Sequence, residues 1–283
     1  MSTQSPSAAA SMAARHESSR FRLAITAVRA IAQRDLVVTA REIVQFLLQA
    51  MIQPLFFLFI FGKVLPGIGL AANGFAALLL PGIVSLSGLL AAIQGVTLPL
   101  VLDLGFAREI DDRLLAPLPV WMVAAEKVLF GTLRGAFAGA CIFPMALLIL
   151  GPAFSVRTDR VGMLILMVLL TGATGATIGM LIGTIVRAEF ISLMFALIFT
   201  PLIFTGCTYY PWAALGHIRW FQILTLANPL TYCSEGLRYA MVKSGDGMAF
   251  PTLDIRVVIA ALLAGIAASF YLGLRTFLKR VIS

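Results

Sequence analysis

Residues 75–102 read FAALLLPGIVSLSGLLAAIQGVTLPLVL, and no Asp, Glu, Lys or Arg interrupts them. A helix needs about 20 apolar residues to cross the hydrocarbon of a bilayer, so this segment decides the fold class. It exceeds the minimum, and Pro81 and Pro99, with Gly82, Gly88 and Gly95, predict that it tilts or kinks. The rest of the chain is of the same kind. Of 283 residues, 60% are hydrophobic and 12% charged, whereas soluble domains carry about 25% charged residues. A water-soluble protein of this composition would have no polar skin. Six spans are expected, at Ile43–Gly62, Phe75–Leu102, Val128–Leu150, Val161–Val186, Phe190–Gly206 and Ile255–Phe277. The predicted class is an all-α, polytopic membrane protein.

Basic residues orient it. With the N-terminus inside, Lys63, Arg157, Arg160, Arg219, Arg238, Lys243 and Arg256 fall outside, and the other fourteen of the 21 Lys and Arg fall inside. Both termini are then cytoplasmic. This placement accounts for the basic excess without nucleic acid, and no basic, aromatic-interleaved groove is present. The first forty residues lack the apolar core of a cleavable signal, so the first span is expected to act as its own insertion signal. The three cysteines form no CxxC pair or His/Cys cluster, and no metal site is expected. Cys207 and Cys233 share the loop before the last span, where either a disulfide or two unrelated small residues would fit.

Residues 1–19 read as a disordered tail. Phe21, Ile25, Val28, Ala32 and Leu36 then recur at helical spacing, with Arg22, Thr26, Arg29 and Gln33 on another face. That pattern suits a basic amphipathic helix in the inner interface, or else a solvated linker. Gln45, Gln49 and Gln53, spaced i, i+4, i+8, form one polar stripe on the first span. In lipid they need protein or water, which makes the stripe either a pathway or subunit face, or ordinary interhelical hydrogen bonding. Gly131, Gly135 and Gly139 in the third span, and Gly175, Gly179 and Gly183 in the fourth, predict that these two spans pack closely. Asp103 to Lys127 is the largest cytoplasmic connection. Arg108 to Leu115 can form a short charged helix ended by Pro117 and Pro119, or a solvated turn.

No G-x-x-x-x-G-K-[ST] loop occurs, so a P-loop ATPase is excluded for this chain. His16 and His217 have no acid or nucleophile arranged about them. No membrane-buried carboxylate pair suggests a proton relay.

The segment 226–242, LANPLTYCSEGLRYAMV, places Asn228, Pro229, Glu235 and Arg238 among apolar residues. Asn228 suits a helix cap and Pro229 a first turn, while Glu235 and Arg238 can pair at i, i+3. Leu230, Leu237 and Met241 then face apolar surroundings. With the charged loop ending LLAPLPVWMVAAEK and the six spans, this motif resembles the membrane subunits of ABC-2-type exporters over residues 20–283.

The resemblance implies a transmembrane domain with an outer re-entrant hairpin between spans five and six, and Asn228, Pro229, Tyr232, Glu235 and Arg238 in an external gate. A plain extracellular loop helix is the alternative. It further implies a non-catalytic permease of a bacterial cytoplasmic (inner) membrane, paired with a second copy or a homologue. Two separate nucleotide-binding ATPase subunits would carry ATP and Mg2+ and push on Arg108, Glu109, Asp111, Asp112 and Arg113, with Arg22, Arg29 and Arg34 nearby. Gln45, Gln49, Gln53, Phe195, Phe199 and Thr200 would line the path of an amphipathic drug, lipid or lipid-linked glycan. No cofactor is implied in this chain itself. A stand-alone secondary transporter or channel is the competing reading.

Overall fold

A computed structural model describes residues 43–70, 75–103, 120–151, 154, 156–242 and 251–282. Among them, six helices are long and apolar enough to cross a membrane. Helix α1 (Ile43–Phe59) continues through a wide turn, Ile60–Val64, to Gly67. The others are α2 (Phe75–Leu102), α3 (Val120–Leu150), α4 (Val161–Ile185), α5 (Ile191–Thr205) and α8 (Ile255–Ile282). Between α5 and α8 lie a 3-10 turn, Trp212–His217, and two short helices, α6 (Arg219–Thr225) and α7 (Pro229–Met241). The tail 1–19 and the amphipathic segment 21–36 with Arg22, Arg29 and Arg34 lie outside the described residues.

Helix α2 is the hub. Its most apolar stretch is 89% buried, against 22% for α1 and 6% for α5. It runs through Pro81 and Pro99 as one helix. Its neighbours α3 and α4 present small residues to it. A side chain at Gly135 would come within 2.6 Å of the Gly88 carbonyl, and one at Gly179 within 2.7 Å of the Ile93 carbonyl. The expected closeness of α3 and α4 is present too, since a side chain at Gly172 would come within 2.5 Å of the Thr132 carbonyl. Yet most of the two glycine series faces α2 rather than the other helix. Such close backbone approach supplies the van der Waals contact that drives helix association in lipid. Thr171, Thr174 and Thr177 interleave with these glycines and return their hydroxyls to carbonyls one turn back, so the face stays small without orphaned polar atoms.

Three span boundaries move. α1 runs past Gly62 to Gly67 through its wide turn. α3 begins at Val120, not Val128, because Glu126 and Lys127 are carried inside the helix. Lys127 is neutralised by Asp103 at 3.1 Å. α8 runs past Phe277 to Ile282, because Arg280 is drawn to α4. Its Nη1 donates to the carbonyls of Thr184 (3.0 Å) and Val186 (3.3 Å), which end α4, and Thr184 also bonds Thr276 at 2.7 Å. Cations belong at helix C-termini, where carbonyls lack intrahelical partners. Arg280→Ala is therefore expected to cost roughly 1–2 kcal/mol. Thermal unfolding in detergent should show a lowered midpoint and earlier proteolysis at Arg187. An unchanged midpoint would make the contact idle.

Candidate functional site: a buried charged hub under the hairpin of α6 and α7

Thr205 ends α5, and the chain turns at Gly206 and at Cys207, whose φ of 49° is unusual for a residue with a side chain. It returns through α6 to Asn228. The Asn228 side chain accepts from the Leu230 N–H at 2.9 Å and donates to the Leu202 carbonyl and Thr205 Oγ1, both at 2.8 Å. One residue thus caps α7 and ties it to α5. Pro229 occupies the first turn, where no amide hydrogen is needed. Tyr232 donates its hydroxyl to the Leu226 carbonyl at 2.9 Å, closing the corner between α6 and α7. Thr231 does the same to Thr225 O at 2.6 Å.

Helix α7 packs against α2, α4 and α8. The ion pair expected from the i, i+3 spacing forms, and Leu230, Leu237 and Met241 are buried as well. The charged face is no less buried: Glu235 is 0% and Arg238 1% exposed. The pair is paid for by bonds to distant backbone. Glu235 Oε1 accepts from Arg238 and from the Trp212 N–H at 2.9 Å, and Oε2 from the Leu253 N–H at 3.4 Å. Arg238 Nη2 donates to the carbonyls of Cys207 at 3.1 Å and Leu78 at 3.4 Å. Two charges therefore join the turn after α5, the hairpin tip, the start of α8 and the N-terminal end of α2. Such a buried pair is held in place by all its partners at once.

A second polar contact lies one turn away. Ser234 Oγ sits 2.8 Å from Ser85 Oγ of α2 and donates to the Gly206 carbonyl at 3.0 Å, while Ser85 donates to Gly82 O at 2.7 Å. Sequence reading missed both Ser85 and Ser234; the signal for Ser85 was a hydroxyl within a long apolar stretch of the second span. Gly82 completes the junction, since a side chain there would collide with the Thr208 backbone. Cys207 and Cys233 are both free thiols, so the disulfide left open by the sequence does not form. Their Sγ atoms belong to different contacts of the hub: Cys207 lies by Thr225 and Thr231, and Cys233 by Thr171 and Thr174.

The six path candidates fall elsewhere. Gln45, Gln49 and Gln53 are exposed on α1, with no hydrogen-bond partner among the described residues. Thr200 is exposed on α5, and Phe195 and Phe199 are half-buried and stack at 4.9 Å. The structure does not bring the two sets together: the glutamines and Thr200 face outward, while Phe195 and Phe199 pack partly against the core. Around the glutamines the surface is apolar, with Val44, Leu48, Ile52 and Phe56 all more than half exposed. Arg108, Glu109, Asp111, Asp112 and Arg113 lie outside the described residues.

A buried hairpin helix after span five, on a six-span apolar frame, matches a known family model described as ABC-2 type transporter over residues 26–242. The chain belongs to the ABC-2 type transporter family. The match ends at Val242, which follows the last residue of α7, and takes in spans one to five. Among curated proteins, the inner membrane transport permease YadH of Escherichia coli K12 is 27% identical over 218 residues, covering 76% of this chain and 82% of that one. The protein of the same name from Shigella flexneri gives the same figures. No solved structure gives a significant match. As an ABC-2 family member the chain is an ABC transporter membrane subunit, and the hub is a feature of its membrane body.

Proposed function

We propose that this chain is the permease of an ATP-driven exporter in a bacterial inner membrane, both termini cytoplasmic, working with a second permease copy or homologue and two copies of a separate ATPase that carries ATP and Mg2+. The observation that supports this best is the outward-facing stripe of Gln45, Gln49 and Gln53 on α1, matched by exposed Thr200 on α5. Three amides at that depth call for protein or water opposite them, and among the described residues no side chain or backbone group bonds them. A second permease facing α1 and α5 would enclose amides and the Phe195–Phe199 stack in one seam. A seam of that chemistry suits an amphipathic compound, a drug, lipid or lipid-linked glycan. The hairpin of α6 and α7 then re-enters the outer leaflet as the external gate, with Asn228, Pro229, Tyr232, Glu235 and Arg238 holding it shut.

A stand-alone secondary transporter or channel would want an ionisable group free to change charge. Glu235, the fully buried carboxylate of the described residues, is already engaged by Arg238 and two backbone N–H groups. The deciding experiment is vanadate-sensitive ATP hydrolysis by the chain co-expressed in lipid with its genomic-neighbour ATPase, with Glu109→Ala and Arg113→Ala alongside. Turnover by a stable complex that collapses in both variants is the expected result. Absence of any associated ATPase would overturn the reading and favour passive or ion-coupled flow.

A further inference from the structure

Asp103 and the first turns of α3, which border the connection 104–119, form a neck. Asp103, the last described residue before that connection, pairs with Lys127 two turns into α3, and the side chains are only 14% and 10% exposed. Asp103 stands at the C-terminal end of α2. Unpaired carbonyls already concentrate negative charge there, so a carboxylate is misplaced unless a cation accompanies it. From that neck α2 runs as one 28-residue helix, about 42 Å by its rise, through the glycine-lined surfaces of α3 and α4. At its far end Ser85 contacts Ser234 and the Leu78 carbonyl accepts from Arg238. The neck and the hub are thus the two ends of one tightly packed rod.

We propose that Asp103 and Lys127 are positioning residues for energy coupling: through their ion pair, a push on the 104–119 connection moves α2 and α3 together and reaches the outer hairpin. This rests on the ATP-driven reading above. The chemistry makes the two partners unequal. Without Asp103, Lys127 still has the terminal carbonyls of α2 as acceptors. Without Lys127, Asp103 faces those same carbonyls with no cation. Lys127→Met is therefore the more damaging change and Asp103→Asn the milder. Reversing the pair places the cation at the C-terminal end of α2, where the helix dipole favours it, so Asp103→Lys with Lys127→Asp restores the link.

The test uses the full chain assembled with its ATPase in lipid, with Cys141→Ala and Cys233→Ala leaving Cys207 as the single thiol. Cys207 is fully buried in the hub. Its labelling by a membrane-impermeant maleimide, with and without ATP and vanadate, reads movement of the hairpin independently of any substrate. Lys127→Met should reduce nucleotide-driven labelling roughly fivefold or more while the ATPase stays bound and hydrolysis continues. Lys127→Arg and the reversed pair should label like the unsubstituted chain. Should Lys127→Met fail to fold, Asp103→Asn against the reversed pair carries the same comparison. Full labelling in Lys127→Met or Asp103→Asn, or no recovery in the reversed pair, overturns the inference while the ATP-driven reading stands. If no ATPase binds the unsubstituted chain, that reading falls and this inference falls with it.

Discussion

Arg238→Ala should be the most damaging single substitution in the described part of the chain, costing roughly 3–5 kcal/mol. Glu235, fully buried, would be left with only two backbone N–H donors, from Trp212 and Leu253. At the same time the carbonyls of Cys207 and Leu78 would lose the guanidinium that bridges them. The expected phenotype is loss of monodisperse protein on detergent extraction, or a strongly lowered unfolding midpoint. Glu235→Gln should do less harm, because the amide oxygen still accepts from Trp212 and Arg238 keeps its two carbonyls. Adding Arg238→Met to Glu235→Gln should recover stability relative to Arg238→Ala, because no uncompensated buried charge then remains. Arg256→Ala, at an exposed site in the first turn of α8, is the reference. If Arg238→Ala behaves like that reference, the hub does not hold the hairpin.

Gly82→Ala comes second. The space a Cβ needs at that position is already filled by the carbonyl, carbonyl carbon and Cα of Thr208. Backbone cannot swing aside as a flexible side chain does, so the segment after α5 would have to lift away from α2. Overpacking of this kind costs typically about 1–3 kcal/mol. Here the shift would also stretch the Ser85–Ser234 contact and the bonds of Arg238. The readout is thiol reactivity at rest: Cys207 and Cys233, both fully buried, should react with maleimide in Gly82→Ala without any nucleotide. Gly162→Ala, in the open first turn of α4 with nothing within 4 Å of its added carbon, is the matched control. Equal thiol protection in the two variants would refute the close approach.

How legible the molecule was depends on distance in sequence. Span two was read to the residue, because nothing charged interrupts Phe75–Leu102 and Asp103 closes it. Span three was cut short because Glu126 and Lys127 look like a water-facing boundary. The compensating Asp103 lies twenty-four positions earlier, on another helix. At α7 the Asn228 cap, the Pro229 turn and the Glu235–Arg238 spacing are local chemistry, and all were visible. Their burial was not, because the groups that make it tolerable are backbone atoms of Leu78, Cys207, Trp212 and Leu253, which carry no side-chain signature. The glycine series announced close packing but not its recipient, since a glycine marks a gap and not the residue that enters it. The glutamine stripe was visible as a pattern, but no described helix faces it.

The burial of α2 has a consequence for how the protein is made. The helices that enclose α2, namely α3, α4 and α7, are all translated after it. When α2 leaves the ribosome and the insertion machinery it has only α1 for company, and it waits in lipid. Its lack of a single ionisable side chain makes that wait harmless. Its two serines return their hydroxyls to carbonyls of their own helix, Ser85 to Gly82 and Ser87 to Ile83, and need no partner in the meantime. Thr97 is the exception: its hydroxyl gains its partner, the Gly179 carbonyl at 2.9 Å, only once α4 has arrived. Thr97 apart, the most enclosed element of the finished protein is thus also suited to being inserted unaccompanied. Its tightest neighbours are assembled around it from segments that arrive later.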